Sequence, residues 1–201
     1  MATLDWPLGR AFEPRRFVFG ARTPKSAFTS FFTGQTQSVS HLGDRLRATV
    51  TLAKCEPVEA ARREAFFMEL ASAGHWVRLG HLQRPEPVGS LRGAPTVAVG
   101  AAAGGRAITV QSVAGATLAP GDPLGLPGQL LITGYAGAVA NGAGLLVVPL
   151  VLPLRAAAAV GAAVTWQAPT TTFQLAADSM DFAYGRQAWQ DELELSFVEV
   201  Y

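Results

Sequence analysis

Two segments of the chain alternate regularly between apolar and polar residues. In residues 45–52 the apolar residues Leu46, Ala48, Val50 and Leu52 alternate with arginines and threonines. Near the end of the chain Glu192, Glu194 and Ser196 alternate with Leu193, Leu195 and Phe197. A period of two predicts a strand with one buried and one solvated face. We therefore predict a strand within residues 38–52 and a second strand, running to the last residue, in the same sheet.

Residues 56–73 have the apolar spacing of an α-helix. Pro57 suits a first helical position, and Gly74 is a natural C-terminal stop. One face at helical spacing contains Val58, Ala61, Ala65 and Met68, and the stripe is widened by Phe66, Phe67 and Leu70. Two explanations of this wide stripe stay open. Either all of it packs inside its own domain, or the helix also contacts a neighbouring subunit through Phe66, Phe67 and Leu70.

The remaining patterns predict short strands and a domain boundary. Before the boundary we expect strands at residues 16–19, 28–32 and 75–82. The segment RPEPVGSLRGAP, residues 84–95, then breaks the pattern with prolines and glycines. After it, the strand candidates are Thr96–Gly100, Ala107–Val113, Gln129–Tyr135, Leu145–Leu150 and Val160–Gln167. We predict a ring-forming outer β-sandwich from residues 1–88 and 165–201, with residues 89–164 inserted as a small β-barrel.

The glycine-rich stretch VAVGAAAGGRAIT, residues 97–109, resembles a phosphate-binding loop only at first sight. It lacks the Lys-Ser/Thr ending, and a strand rather than a helix follows. We interpret it as the first hairpin of the inserted region. The dipeptide Asn141-Gly142 and the residues around Asp122-Pro123 indicate further turns.

Composition narrows the class of protein. Apolar residues make up 49% of the chain, charged residues 15%, and the net charge is +1, which gives no strong field for nucleic acid or an anionic membrane. The single Cys55 excludes an intrachain disulfide. Residues 142–164 are apolar enough to suggest a membrane span, but Pro149, Pro153 and Arg155 favour two strands with an irregular link. We expect no signal peptide at the N-terminus.

Candidate chemistry is sparse. The three histidines, His41, His75 and His81, have no Cys or carboxylate at the spacing of a zinc site. Glu192 and Glu194 have the pattern of a solvated strand face, and Asp178 and Asp181 lie in a predicted loop. We therefore predict no catalytic, cofactor-binding or metal-binding residue and no enzymatic activity.

The order of segments resembles a known family. FFTGQTQSV is followed by the strand RLRATVTL, the helix EPVEAARREAFFMEL and the strand HWVRLGHL. The inserted region then contains PGDPLGLPGQLLITG, and the chain closes with PTTTFQLAADSM and ELELSFVEV. Over nearly its whole length the sequence resembles the distal tail proteins of long-tailed, siphovirus-like bacteriophages and prophages.

This resemblance implies a fold and a role. Members join the end of the tail tube to the baseplate hub or tip, and they assemble as a ring, usually hexameric. Their first domain is a tail-tube-like β-sandwich with one helix, and some carry an inserted β-barrel of the oligonucleotide/oligosaccharide-binding (OB) type. The resemblance implies tail tube, hub and tip proteins as partners. It implies a place in the virion tail, assembled in the bacterial cytoplasm.

Two other classes of function are alternatives to this role. A carbohydrate- or receptor-binding module would use exposed aromatics of the inserted region, where Tyr135 is the single aromatic in residues 90–160. A tail-associated hydrolase has no motif to support it, because no G-x-S-x-G sequence is present.

Overall fold

The computed structural model describes residues 1–40, 43–177 and 180–201. Within those ranges the mainly-β class with one α-helix, α1 at Pro57–Ser72, is confirmed. Single turns of 3-10 helix lie at Arg10–Phe12 and Arg186–Ala188. The strands are β1 Thr3–Asp5, β2 Pro14–Arg22, β3 Lys25–Thr29, β4 Thr36–Ser40, β5 Arg45–Leu52, β6 Trp76–Gly80, β7 Thr96–Val99, β8 Ala107–Gln111, β9 Thr117–Leu118, β10 Pro123–Leu126, β11 Gln129–Ile132, β12 Ala138–Val139, β13 Leu145–Pro149, β14 Thr170–Leu175 and β15 Leu193–Glu199.

The main sheet joins both ends of the chain. Its six strands follow the order β1-β6-β14-β15-β5-β2, and β1 pairs with β6 in parallel while the other neighbours are antiparallel. The last strand, β15, lies between β14 and β5, with Leu195 opposite Val50. The predicted alternation is confirmed in both β5 and β15, whose apolar residues are buried. These faces form a core because only one side of each strand is apolar.

Helix α1 confirms the predicted segment but packs with a different face. Pro57 occupies the first turn, and Gly74 adopts a φ of 59° just beyond the helix, where glycine has no Cβ penalty. The predicted face of Val58, Ala61, Ala65 and Met68 is exposed. The buried face is Ala60, Arg63, Phe67 and Leu70. The explanation in which the whole stripe packs inside its own domain is therefore wrong for the four exposed residues. The helix instead buries Phe67 and Leu70, which have large apolar areas, and Arg63, which donates hydrogen bonds to main-chain carbonyls.

Two of the four predicted early strands shift in position, and two hold. The strand expected at residues 16–19 is confirmed within β2. The strand expected at residues 28–32 instead ends at Thr29, because the chain turns between Ser30 and Gln35. Residues 38–40 belong to β4 and not to β5. The strand expected at residues 75–82 is β6, with Val77 and Leu79 buried.

Residues 89–164, the predicted insert, form short, separate ladders. One sheet has the order β13-β8-β7, and two-strand ladders join β10 to β11 and β9 to β12. The glycine-rich stretch connects β7 to β8, as predicted, and Gly104 has a φ of 84° in that connection. None of the sheets among the described residues closes into a barrel. The closed barrel expected from strand spacing is therefore not formed through hydrogen-bonded strands.

One predicted strand of this region was wrong, and three strands, β9, β10 and β12, were missed. Residues 160–167 make only isolated bridges, Ala163 with Thr96 and Thr165 with Gly125. The longest of the three is β10, whose sequence PLGL has the proline and glycine typical of a loop. Burial explains it: Leu124 lies opposite Leu131 in β11, and both side chains are buried.

The buried apolar residues fall into two clusters. The first lies between the six-stranded sheet, the first 3-10 turn and α1, and it also includes Leu130 and Leu152 of the predicted insert. The second cluster lies wholly within residues 91–164. The division into an outer domain and an insert stays a prediction. Within the described residues, no helix has the length and apolar character needed to cross a membrane.

Candidate interaction surfaces

Two of the three most exposed aromatic residues of the described chain, Phe31 and Phe32, lie on the hairpin formed by β3 and β4. These two strands pair only with each other, and the chain reverses through hydrogen bonds between Ser30 and Gln35 (2.8 Å) and between Ser30 and Gly34 (2.9 Å). Phe31 and Phe32 in this turn are 97% and 96% exposed, and their rings contact each other edge to face at 5.9 Å. We call Phe28, Phe31 and Phe32 the hairpin tip.

The three helix residues predicted to form a subunit interface lie mainly in the chain's own core. Phe67 and Leu70 are fully buried. Phe66 is half-buried, and its ring packs against those of Phe12 (5.6 Å) and Phe67 (5.2 Å). Phe67 and Leu70 therefore pack within the chain's own core, as the first of the two explanations expects. Whether α1 contacts a neighbouring subunit stays a prediction.

If α1 does contact a neighbour, its exposed face is the available surface. Val58 is 71% exposed and Met68 52% exposed, and Ala61 and Ala65 lie between them. Single exposed apolar residues are ordinary, but four at helical spacing make a continuous stripe.

A mainly apolar cleft of about 260 Å³ lies where β1 and β6 end and β14 begins. It is lined by Asp5, Trp6, Leu8, Arg78, Gly80, His81, Leu82, Pro85, Ala168 and Thr170. Ala168 donates its N–H to the carbonyl of Pro85 at 2.6 Å. This hydrogen bond joins the segment that follows β6 to the segment that precedes β14. We call this feature the edge cleft.

His81 of the edge cleft is held as a neutral ring. It packs against Phe17 and Phe19, with ring centroids 5.3 and 5.1 Å away. Its Nδ1 accepts the main-chain N–H of Arg84 at 3.0 Å. Burial, assisted by the positive charge of Arg84, lowers the pKa of His81 below its usual 6.5. The neutral form therefore predominates at pH 7.

Arg63 is a buried charged residue that the sequence patterns did not predict. Its guanidinium donates from Nε to the carbonyl of Ala11 at 2.5 Å and from Nη1 to that of Ala53 at 2.6 Å. The side chain of Gln190 accepts from both Arg63 (3.4 Å) and the Cys55 thiol (3.6 Å). Burial raises the pKa of Cys55 more than the charge of Arg63 lowers it. A thiol with a raised pKa is a poor nucleophile, so this cluster is structural.

A buried ion pair connects the insert to the last strand. Arg155 donates to Glu199, and their side chains are 3% and 1% exposed. Glu199 also accepts the main-chain N–H of Leu46 at 2.9 Å and the hydroxyl of Thr171 at 3.2 Å. A buried pair persists only where such extra hydrogen bonds satisfy it.

Asp122 fixes the turn predicted around Gly121-Asp122-Pro123. Its buried carboxylate accepts the N–H groups of Val88 and Gly89 (both 2.9 Å) and of Ala119 (2.7 Å). This connects the proline-rich entry segment to the first turn of the insert. The Asn141 turn is confirmed too, since its side-chain oxygen accepts from Ala143 and Leu145 at 3.0 Å.

The remaining candidate residues do not converge. Glu192 pairs with Arg15 at 3.2 Å on the surface, and Glu194 faces solvent on β15. His75 accepts from the N–H of Ala2 at 3.4 Å. His41 and Asp178 lie outside the described residues. Among those that are described, no three His, Cys, Asp or Glu residues are grouped so that they could hold a metal ion.

A scan of the sequence against protein-family models matched none, and a search of curated proteins found no match.

Proposed function

We propose that this chain is a structural virion protein of a phage tail: a ring subunit at the distal end, joining the tail tube to the baseplate hub or tip. The proposal combines the order of segments in the sequence with the surfaces described above. Its partners would be further copies of the same chain, a tail tube protein and a hub or tip protein. The role is structural and not enzymatic.

The observation that carries the proposal is the hairpin tip. Phe31 and Phe32 are almost fully exposed on a two-stranded arm, where they add nothing to the chain's own core. Large exposed aromatics gathered at one place are typical of surfaces that bind another protein. A ring subunit needs such a surface, and the exposed stripe of α1 supplies a second.

Light scattering and electron microscopy test this proposal. The purified chain should have the mass of a ring, either alone or after mixing with the tube and hub proteins of the same phage, and rings should be visible in micrographs. A monomeric mass under all of these conditions would count against the proposal. For substitutions of Phe31 and Phe32, Tyr135→Ser is the matched control, because Tyr135 is as exposed as Phe31 but lies in the predicted insert.

One observation favours the alternative, a carbohydrate- or receptor-binding module. Tyr135 is 97% exposed in a turn after β11, the placement of an aromatic that stacks on a sugar ring. Under this alternative, a glycan array would show binding that disappears in Tyr135→Ala. Under the ring proposal that variant assembles like the unmodified chain.

A further inference from the structure

We propose that the edge cleft of one subunit binds the hairpin tip of a second copy of this chain. The inference rests on the proposed function and identifies the two surfaces that meet in the ring. Within the described residues, the phenyl rings of the hairpin tip are exposed and pack in no cavity. The edge cleft is a mainly apolar cavity that no side chain fills.

The edge cleft has room for one phenyl ring of the hairpin tip. A cavity of about 150 Å³ is enough to bind benzene. The edge cleft has about 260 Å³, so it accepts one phenyl group with its Cβ but not two. The ring of Phe31 or of Phe32 would enter, and the other would cover the exposed side chain of Leu8 at the rim.

The charges match as well. Residues 26–43, which include the whole turn of the hairpin, contain no Asp, Glu, Lys or Arg. Inside the cleft, Asp5 and Arg78 neutralise each other across 3.3 Å. The ring of His81 is neutral near pH 7, as described above. An uncharged arm can therefore enter the cleft without leaving a charge buried and unpaired.

The contact joins two different surfaces, which determines the kind of assembly. A contact of this kind is heterologous and leaves one free tip and one free cleft at the ends of any open chain of subunits. Such contacts continue until a ring closes or a filament grows. A symmetric dimer, in contrast, would need one surface to contact itself.

Complementary variants test the pairing. Phe31→Ser/Phe32→Ser removes the tip, and Leu8→Glu/Thr170→Glu places carboxylates at the cleft. Each variant alone should self-associate at least about tenfold more weakly, since a phenyl ring no longer leaves water. Mixed in equal amounts, they should form a dimer that grows no further, because one intact tip meets one intact cleft. Tyr135→Ser should assemble normally, and circular dichroism should show all variants folded.

Photo-crosslinking locates the contact directly. A chain that has benzoylphenylalanine in place of Phe32 and is otherwise unchanged should crosslink to residues 5–8, 78–85 or 168–170 of a second copy. Crosslinks to another part of the second copy, to the tube or hub protein, or to nothing would overturn the inference. Rings that persist in both double variants would also overturn it while leaving the proposed function intact. Cleft crosslinks in an assembly that never closes into a ring would support the pairing and count against the function.

Discussion

The phenylalanines of the main core and those of the hairpin tip have opposite environments. Phe67, Phe173 and Phe197 are at most 1% exposed and pack between α1 and the six-stranded sheet. Phe31 and Phe32 are more than 95% exposed on strands that pair only with each other. A ring that loses its water on folding stabilises the chain. An aromatic ring that stays in water after folding adds binding free energy only when a second molecule covers it.

This difference separates stability from assembly. If the two sets of residues act as their environments indicate, substitutions in the core should change unfolding. Substitutions in the hairpin tip should change only association.

Truncating a core ring should have the largest effect. Phe197→Ala removes a side chain that packs against the Trp6 ring at 6.0 Å, and the free energy of unfolding should fall by about 3–5 kcal/mol. Chemical denaturation followed by tryptophan fluorescence measures this. A loss below about 1 kcal/mol would show that this part of the core can collapse around the cavity.

Neutralising the buried carboxylate should cost nearly as much. Glu199→Gln leaves the Arg155 guanidinium buried without its counter-charge, and we expect a loss of about 3 kcal/mol in thermal or denaturant unfolding. The control is the paired replacement Arg155→Met/Glu199→Gln, which removes both charges and keeps an acceptor for the Leu46 N–H and the Thr171 hydroxyl. It should cost less than the single change, and an equal or larger cost would contradict the role assigned to the pair.

Acid should weaken the sheet edge modestly through His81. Because the folded chain lowers the pKa of His81, the unfolded chain binds the proton more strongly. The stability from the neutral ring is complete above pH 6.5 and is lost as the pH falls from there towards the lower folded pKa. In His81→Gln, unfolding curves measured between pH 7 and 5 should lack this part of the decline. An unchanged decline would assign it to other groups.

Removing the hairpin tip should leave the stability of the monomer unchanged. Phe31→Ala/Phe32→Ala should unfold within about 0.5 kcal/mol of the original chain at concentrations where both are monomeric, since these rings make few contacts in the chain. Analytical ultracentrifugation should nevertheless show weaker self-association. A large loss of monomer stability would mean that the hairpin packs on its own sheet.

Much of the fold was predictable because the relevant residues have local signals. The alternation in β5 and β15 and the cap at Gly74 each depend on a single face or a single residue. The errors came where long-range packing decides. PLGL forms β10 since Leu131 faces it, and residues 160–167 make only single bridges.

The candidate surfaces divide in the same way. Sequence spacing identified the apolar residues of α1 but not which of them face inward, because Arg63 becomes a core residue only where the carbonyls of Ala11 and Ala53 meet it. Periodicity also gave no sign that Phe31 and Phe32 would stay in water. A phenylalanine is equally apolar in a core and at a hairpin tip.

The sequence by itself determined the mainly-β class, the single helix and which face of β5 and β15 is buried, because hydrophobic period and turn residues act over a few neighbours. Only the tertiary structure decided which apolar side chains are covered, where a neutral cleft forms and how Arg155 meets Glu199. These depend on segments far apart in the chain, and burial is a property of the whole packed molecule and not of any one stretch.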